Sequence, residues 1–159
     1  MKKRLLYIGN KLSEKGKTPT AIDTLGLAFE QENFTVFYAS QKQNQFLRFL
    51  DIIITTLFKC NKVDFVIIDT YSTKNFYFAL VVSQICRLFK TKYIPILHGG
   101  NLPDRLKKNP YLSRLIFKYA YKNVVPSNYL KQEFSKHFNY NLVYIPNTIE
   151  IEKYHLQFQ

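Results

Sequence analysis

The chain has 159 residues, enough for one domain with a substantial core. Its 47% hydrophobic and 16% aromatic content excludes an intrinsically disordered protein. Lys and Arg number 23 against 11 acidic residues, a formal net charge of +12, so the partners to consider are polyanionic: nucleic acid, an anionic membrane surface or phosphorylated ligands.

Leu5–Ile8 reads as a first strand, followed by a polar loop, Gly9–Lys17. Thr18-Pro19 has the form of an N-cap followed by proline in the first helical position. The spacing of Ile22, Leu25 and Phe29 then predicts an amphipathic helix over Thr18–Glu32, with Gly26 allowing close approach to the sheet. Phe34–Ala39 is a second strand. A helix follows over Gln43–Lys59, with Phe46, Leu50, Ile53 and Leu57 on one face and Leu47, Ile54 and Phe58 beside them. That apolar surface is wider than one sheet contact requires. Asp64–Asp69 is strand three, Lys74–Phe89 a helix, and Lys92–Leu97 a fourth strand without alternation, as expected of a strand buried on both faces.

Pro110–Lys122 reads as a helix with Leu112, Leu115, Ile116 and Tyr119 inward and Tyr111, Arg114, Lys118, Tyr121 and Lys122 outward. Asn123–Val125 is a short strand, Ser127 caps a helix over Asn128–His137, and Leu142–Ile145 is strand six. Strands alternating with helices give an α/β fold: a doubly wound, Rossmann-like parallel sheet of about six strands in three α/β/α layers. The expected strand order is 3-2-1-4-5-6. Residues 1–149 form this domain, and the polar stretch from Glu150 reads as a linker or tail.

Cys60 and Cys86 lie in apolar segments without metal or redox spacing; they read as buried small hydrophobes in a cytoplasmic protein. The apolar run after Met1-Lys2-Lys3-Arg4 is too short for an export signal. The longest uncharged apolar stretch, Phe76–Cys86, is well below the roughly 20 residues that span a bilayer. The chain is therefore expected to be soluble or to rest on a membrane surface.

Ligands of open α/β sheets bind beyond the carboxyl ends of the strands. His98 stands at such an end and is followed by Gly99 and Gly100, which permit a sharp turn and close approach of a ligand. Asp69 and Tyr71 follow strand three, Ser127 follows strand five, and Pro146-Asn147-Thr148 follows strand six. Gly9 and Gly16 do not make a dinucleotide fingerprint, and no phosphate loop or serine elbow is present. Lys17 and Thr18 stand at a helix start that favours anions. No metal-ligand spacing occurs. Asp104–Asn123 carries Arg105, Lys107, Lys108, Arg114, Lys118 and Lys122 with interleaved aromatics and a single acid. It reads as a solvated face, an anionic membrane surface contact or a nucleic-acid contact, and no nucleic-acid module accompanies it.

Lys122–Tyr154, with NVVPSNYLKQEF followed by NLVYIPNTIEIEKY, resembles the amino-terminal domain of family 4-like glycosyltransferases of the two-domain GT-B type. In that family a serine opens the helix after one strand, here Ser127. The next strand ends in Ile-Pro-Asn-Gly-Val-Asp, here Ile145-Pro146-Asn147-Thr148-Ile149-Glu150. His98-Gly99-Gly100 matches the loop that reaches the inter-domain cleft. Gly16-Lys17 stands where members often carry paired glycines, and Thr148 replaces a glycine.

The resemblance implies transfer of a sugar from a nucleotide sugar, without metal or cofactor, to a glycan or lipid-linked acceptor of the cell envelope. Configuration would be retained. His98 would be catalytic, with Gly9, Gly16, Lys17, Thr18, Asp69, Tyr71, Gly99, Gly100, Ser127 and Asn147 around donor and acceptor. A carboxy-terminal nucleotide-binding domain, absent from this chain, would complete the enzyme, and the fragment alone would be inactive. Arg105–Lys122 would hold it peripherally at the cytoplasmic membrane face, with no nucleic-acid partner. The alternative is a non-enzymatic α/β module that binds phosphorylated ligands or a protein through its basic face.

Overall fold

The computed structural model describes residues 2–11, 20–39, 41–137 and 141–147. Six strands, β1 (Arg4–Ile8), β2 (Thr35–Ala39), β3 (Phe65–Thr70), β4 (Lys92–Leu97), β5 (Asn123–Val125) and β6 (Leu142–Tyr144), form one sheet in which every pairing is parallel. Among the described residues, six α-helices flank it: α1 (Ala21–Gln31), α2 (Gln45–Lys59), α3 (Asn75–Leu88), α4 (Leu102–Lys108), α5 (Pro110–Phe117) and α6 (Asn128–His137). The fold is Rossmann-like, as the alternation of elements predicts.

The strand order is β2-β1-β3-β4-β5-β6, which corrects the expected 3-2-1-4-5-6. β3 lies between β1 and β4 rather than at the edge. Hydrophobicity explains the placement. Val66, Ile67, Ile68, Asp69 and Thr70 of β3 are all buried, whereas β2 is half-buried until Ala39. The more apolar strand takes the centre, and β2, with its Thr and Tyr, takes the edge.

Right-handed crossovers then distribute the helices. The step from β1 to β2 puts α1 on one face. The chain reverses at β2, and every later step puts its helix on the other face. One core therefore joins Leu6, Ile8, Val66, Ile68 and Leu97 to Ile52, Phe76, Val82, Leu106, Phe117 and Phe134 of the later helices. The second core joins Leu5, Tyr7, Ile67 and Ile96 to α1 alone, through Ile22, Leu25 and Phe29.

Several boundaries differ from expectation. Helix α1 starts at Ala21, capped by Thr20, whose backbone N–H donates to Asp23 Oδ2 at 2.9 Å; the acidic residue three places on selects Thr20 as the cap. The proposed cap at Thr18 lies outside the described residues. Gly26 does meet the sheet side closely: a Cβ there would stand 2.6 Å from the Tyr38 hydroxyl.

Asn44 caps α2 by accepting from the N–H groups of Phe46 and Leu47. Helix α5 stops at Phe117 instead of Lys122, because the Tyr121 N–H donates to the Tyr93 carbonyl of β4 at 2.9 Å and draws the chain toward the sheet. Tyr119, expected inward, is exposed and lies under the Arg87 guanidinium. Helix α4 was not expected; Leu102 and Leu106, one turn apart and buried, hold it to the core. Cys60 and Cys86 are buried free thiols, as read from their surroundings. The tail from Glu150 lies outside the described residues.

Candidate functional site

Strand order places the reversal of chain direction between β1 and β3, the point at which open α/β sheets bind ligands. Three side chains converge there on the α1 face. Asp69 is buried near the end of β3. Its Oδ1 accepts a hydrogen bond from the Tyr7 hydroxyl at 3.1 Å and lies 2.9 Å from His98 Nε2. A carboxylate oxygen accepts, so a neutral imidazole in this pairing carries its proton on Nε2 and has its lone pair on Nδ1.

The backbone fixes the same ring from below: the His98 N–H donates to the Thr70 carbonyl at 2.9 Å. Tyr71 stacks on it with ring centroids 4.8 Å apart and planes at 21°. Burial, reinforced by the Asp69 charge, pushes the Tyr7 and Tyr71 phenols well above their ordinary range. Both are neutral at physiological pH, and Tyr7 remains a donor to Asp69. The His98 side chain is only 11% exposed.

Gly9 has a steric reason. A Cβ there would stand 2.6 Å from Asp69 Oδ2 and 3.2 Å from Ile22 Cβ, so glycine makes room for the carboxylate. Asp69 Oδ2 is buried and has no hydrogen-bond partner among the described residues. Beside it, Gly9, Asn10, Asp69 and Asn75 border a void of about 10 Å³, the room one water needs. Asn10 is itself anchored: its carbonyl accepts from the Thr20 hydroxyl at 3.1 Å, and its side chain accepts from Arg48 Nη1 at 2.9 Å.

The His98 ring looks onto a groove of about 660 Å³. Because α1 is the one described helix on this face, the sheet beyond it is uncovered. Ile94, Ile96, Val124 and Ile145 form an apolar floor, Leu25 and Phe29 of α1 form one wall, and Tyr71, His98, Thr20, Thr24 and Asn147 give one end polar groups. A second hollow, of about 540 Å³, sits at the amino ends of the strands among Lys3, Asp64, Lys90 and Lys92. It lacks any convergent set of reactive groups, and it lies at the wrong end of a parallel sheet for ligand binding.

Gly9, Asp69, Tyr71 and His98 thus come together, and Asn147 joins them across the groove. Gly99 adopts φ of +83°, which requires glycine, while a Cβ at Gly100 would meet nothing within 4 Å. Ser127 is a helix cap, its Oγ accepting from the Leu130 N–H at 3.2 Å. Gly16, Lys17 and Thr18 lie outside the described residues. Lys107, Lys108, Arg114, Lys118 and Lys122 are exposed. Arg105 is not a free outward cation: its guanidinium lies 4.9 and 5.0 Å from the Phe76 and Tyr77 ring centroids. Among the described residues no group of three or more His, Cys, Asp or Glu is placed to hold a metal ion, and no helix is long and apolar enough to cross a membrane.

Tyr7, Thr20 and Arg48 were not legible as site residues. Tyr7 carried a usable signal, since alternation along β1 puts it on the same face as Gly9. No protein family, curated protein or solved structure matches the chain.

Proposed function

We propose that the chain is the acceptor-binding half of a retaining glycosyltransferase, with a nucleotide-binding half supplied by the same polypeptide or by a partner. One observation carries the reading. His98, held by Asp69 and Tyr71 at the reversal point of the sheet, faces a groove large enough for a sugar with an apolar extension. The sequence resemblance through Ser127 and Ile145-Pro146-Asn147 supports the same assignment.

In this reading the donor sugar lies over His98-Gly99-Gly100, and the acceptor enters the groove with its hydroxyl toward His98. The Asp69 carboxylate fixes the imidazole tautomer, and the lone pair on Nδ1 accepts a hydrogen bond from a sugar hydroxyl. A rigid ring held from three sides supplies orientation rather than a proton relay. The second wall of the cleft comes from the nucleotide-binding half, so this chain alone binds without turning over.

The test is a transfer assay with the two halves together, labelled UDP- and GDP-sugars, and a lipid extract as acceptor source. Transfer that disappears in His98→Ala supports the reading. Binding of glycans without transfer to any acceptor, with every donor, would leave a carbohydrate-binding module instead.

A further inference from the structure

The outer surface of the helical layer opposite α1 combines two features that the site does not use. Helix α2 carries its apolar surplus outward: Ile52 and Thr56 face the sheet, while Phe46, Leu50, Ile54, Leu57 and Phe58 face solvent. Phe46 and Phe58, at the two ends of the stripe, are 67% and 69% exposed. Helix α3 packs between α2 and α5 on the same sheet face, so the outward sides of all three point the same way. Helix α5 adds exposed Tyr111 and Arg114, followed by Lys118 and Lys122.

Charge is segregated in the same sense. Asp51 is the one acid within α2, α3 and α5, against Lys59, Arg87 and Arg114, and Lys62 and Lys90 follow α2 and α3; Arg48 of α2 is turned inward and does not count toward this face. Asp23, Glu30, Glu32 and Asp69 belong to the α1 side or to the site, and the acids of the other two helices in this layer are Asp104 of α4 and Glu133 of α6, the latter paired with Lys136. An apolar stripe with cations at its margins has the composition of a helix that lies in a lipid headgroup region. A second copy of this chain fits the face poorly, because each copy carries +12 and would bring the same cations together.

We propose that this outer face docks on an anionic lipid bilayer, α2 inserting its apolar stripe and α5 with its following turn binding headgroups through Arg114, Lys118 and Lys122. The surface lies across the sheet from His98 and stands independently of the transfer reading. It extends the basic segment by adding an apolar anchor that charge alone would lack.

The chain contains no tryptophan, so single-site reporters give a direct test. Phe58→Trp on α2 and Leu27→Trp on the exposed surface of α1 are each mixed with vesicles of phosphatidylglycerol and phosphatidylcholine, or of phosphatidylcholine alone. With anionic vesicles, the emission of Phe58→Trp should shift to the blue and be quenched by brominated lipid, and that of Leu27→Trp should not. Binding should fall at least about tenfold between about 0.1 and 1 M salt, as the Debye length contracts from about 10 to 3 Å. Ile54→Glu should abolish the blue shift in the Phe58→Trp background while its melting curve stays that of the parent. The proposal is overturned by absence of binding to anionic vesicles, by equal binding to neutral ones, or by insertion reported from Leu27→Trp. It is equally overturned if sedimentation shows a lipid-free dimer that already buries Phe58→Trp.

Discussion

His98 Nε2 and Asp69 Oδ1 lie 2.9 Å apart across the junction of β3 and β4, although 29 residues separate them in sequence. The pair exists because β3 and β4 are parallel neighbours in register: Asp69 pairs with Ile96 and Thr70 with Leu97. The two side chains therefore leave the sheet on the same face at successive levels. Asp69 alone would be a costly buried carboxylate; Tyr7 and His98 together offset that cost with two hydrogen bonds.

Glycine substitutions separate the roles of three positions. Gly9→Ala should push the Asp69 carboxylate away from His98 and cost about 1–3 kcal/mol of stability. Gly100→Ala should leave the urea-unfolding midpoint unchanged, since its Cβ meets open space. If Gly100→Ala nevertheless lowers ligand binding, a ligand approaches that backbone. Gly99→Ala should destabilise through its positive φ alone, by about 1 kcal/mol.

Tyr7 gives a prediction in pH. Burial and the Asp69 carboxylate raise its phenol above the unfolded value near 10. Below about pH 10 the proton count is the same in both states, and the stabilisation is complete. Above it the unfolded chain releases a proton that the native state keeps, so stability falls by about 1.4 kcal/mol per pH unit for this group. Tyr7→Phe removes that contribution. Urea unfolding of the variant should show lower stability at pH 7, from the lost hydrogen bond to Asp69, but a shallower decline between about pH 10 and 11. A decline as steep as the parent's would mean that Tyr7 is not held neutral by this site.

Much of the fold was legible because parallel sheets write themselves in long apolar strands. The unbroken run from Tyr93 to Leu97 and the alternation of strand and helix sufficed for the class. Strand order was less accessible. Local pattern gives the handedness of each crossover but not its direction, and only the contrast between the apolar β3 and the mixed β2 indicates which lies at the centre. The same limit hid the site's pairing: His98 was conspicuous at a strand end, yet its link to Asp69 needs β3 beside β4. The outward face of α2 was visible in sequence as surplus hydrophobicity. Its direction was not, because the inward positions are held by Arg48, Ile52 and Thr56, of which only Ile52 is apolar. Arg48 is tolerated there because its guanidinium is bonded to the Lys42 carbonyl and to Asn10.

The proposed division of the cleft between two halves has a binding consequence. The isolated chain should bind nucleotide sugars only in the millimolar range or more weakly, an affinity of about −4 kcal/mol or less in magnitude. Calorimetry with UDP- and GDP-sugars measures this directly. Micromolar binding would place nucleotide recognition within this chain and remove the need for a second half.

The central claim is that His98 serves a ligand rather than the core, and His98→Ala in the two-half enzyme proposed above tests it most directly. Turnover and melting temperature are measured on the same preparation. Turnover should fall by about a hundredfold or more, as expected for loss of an oriented polar group in a cleft. The melting temperature should fall as well, by roughly 2 to 12 °C, because His98 fills no core position but its loss removes one of the two hydrogen bonds to the buried Asp69 carboxylate. Full activity per folded molecule, with only stability lost, would contradict the account and make His98 a structural partner of Asp69 alone.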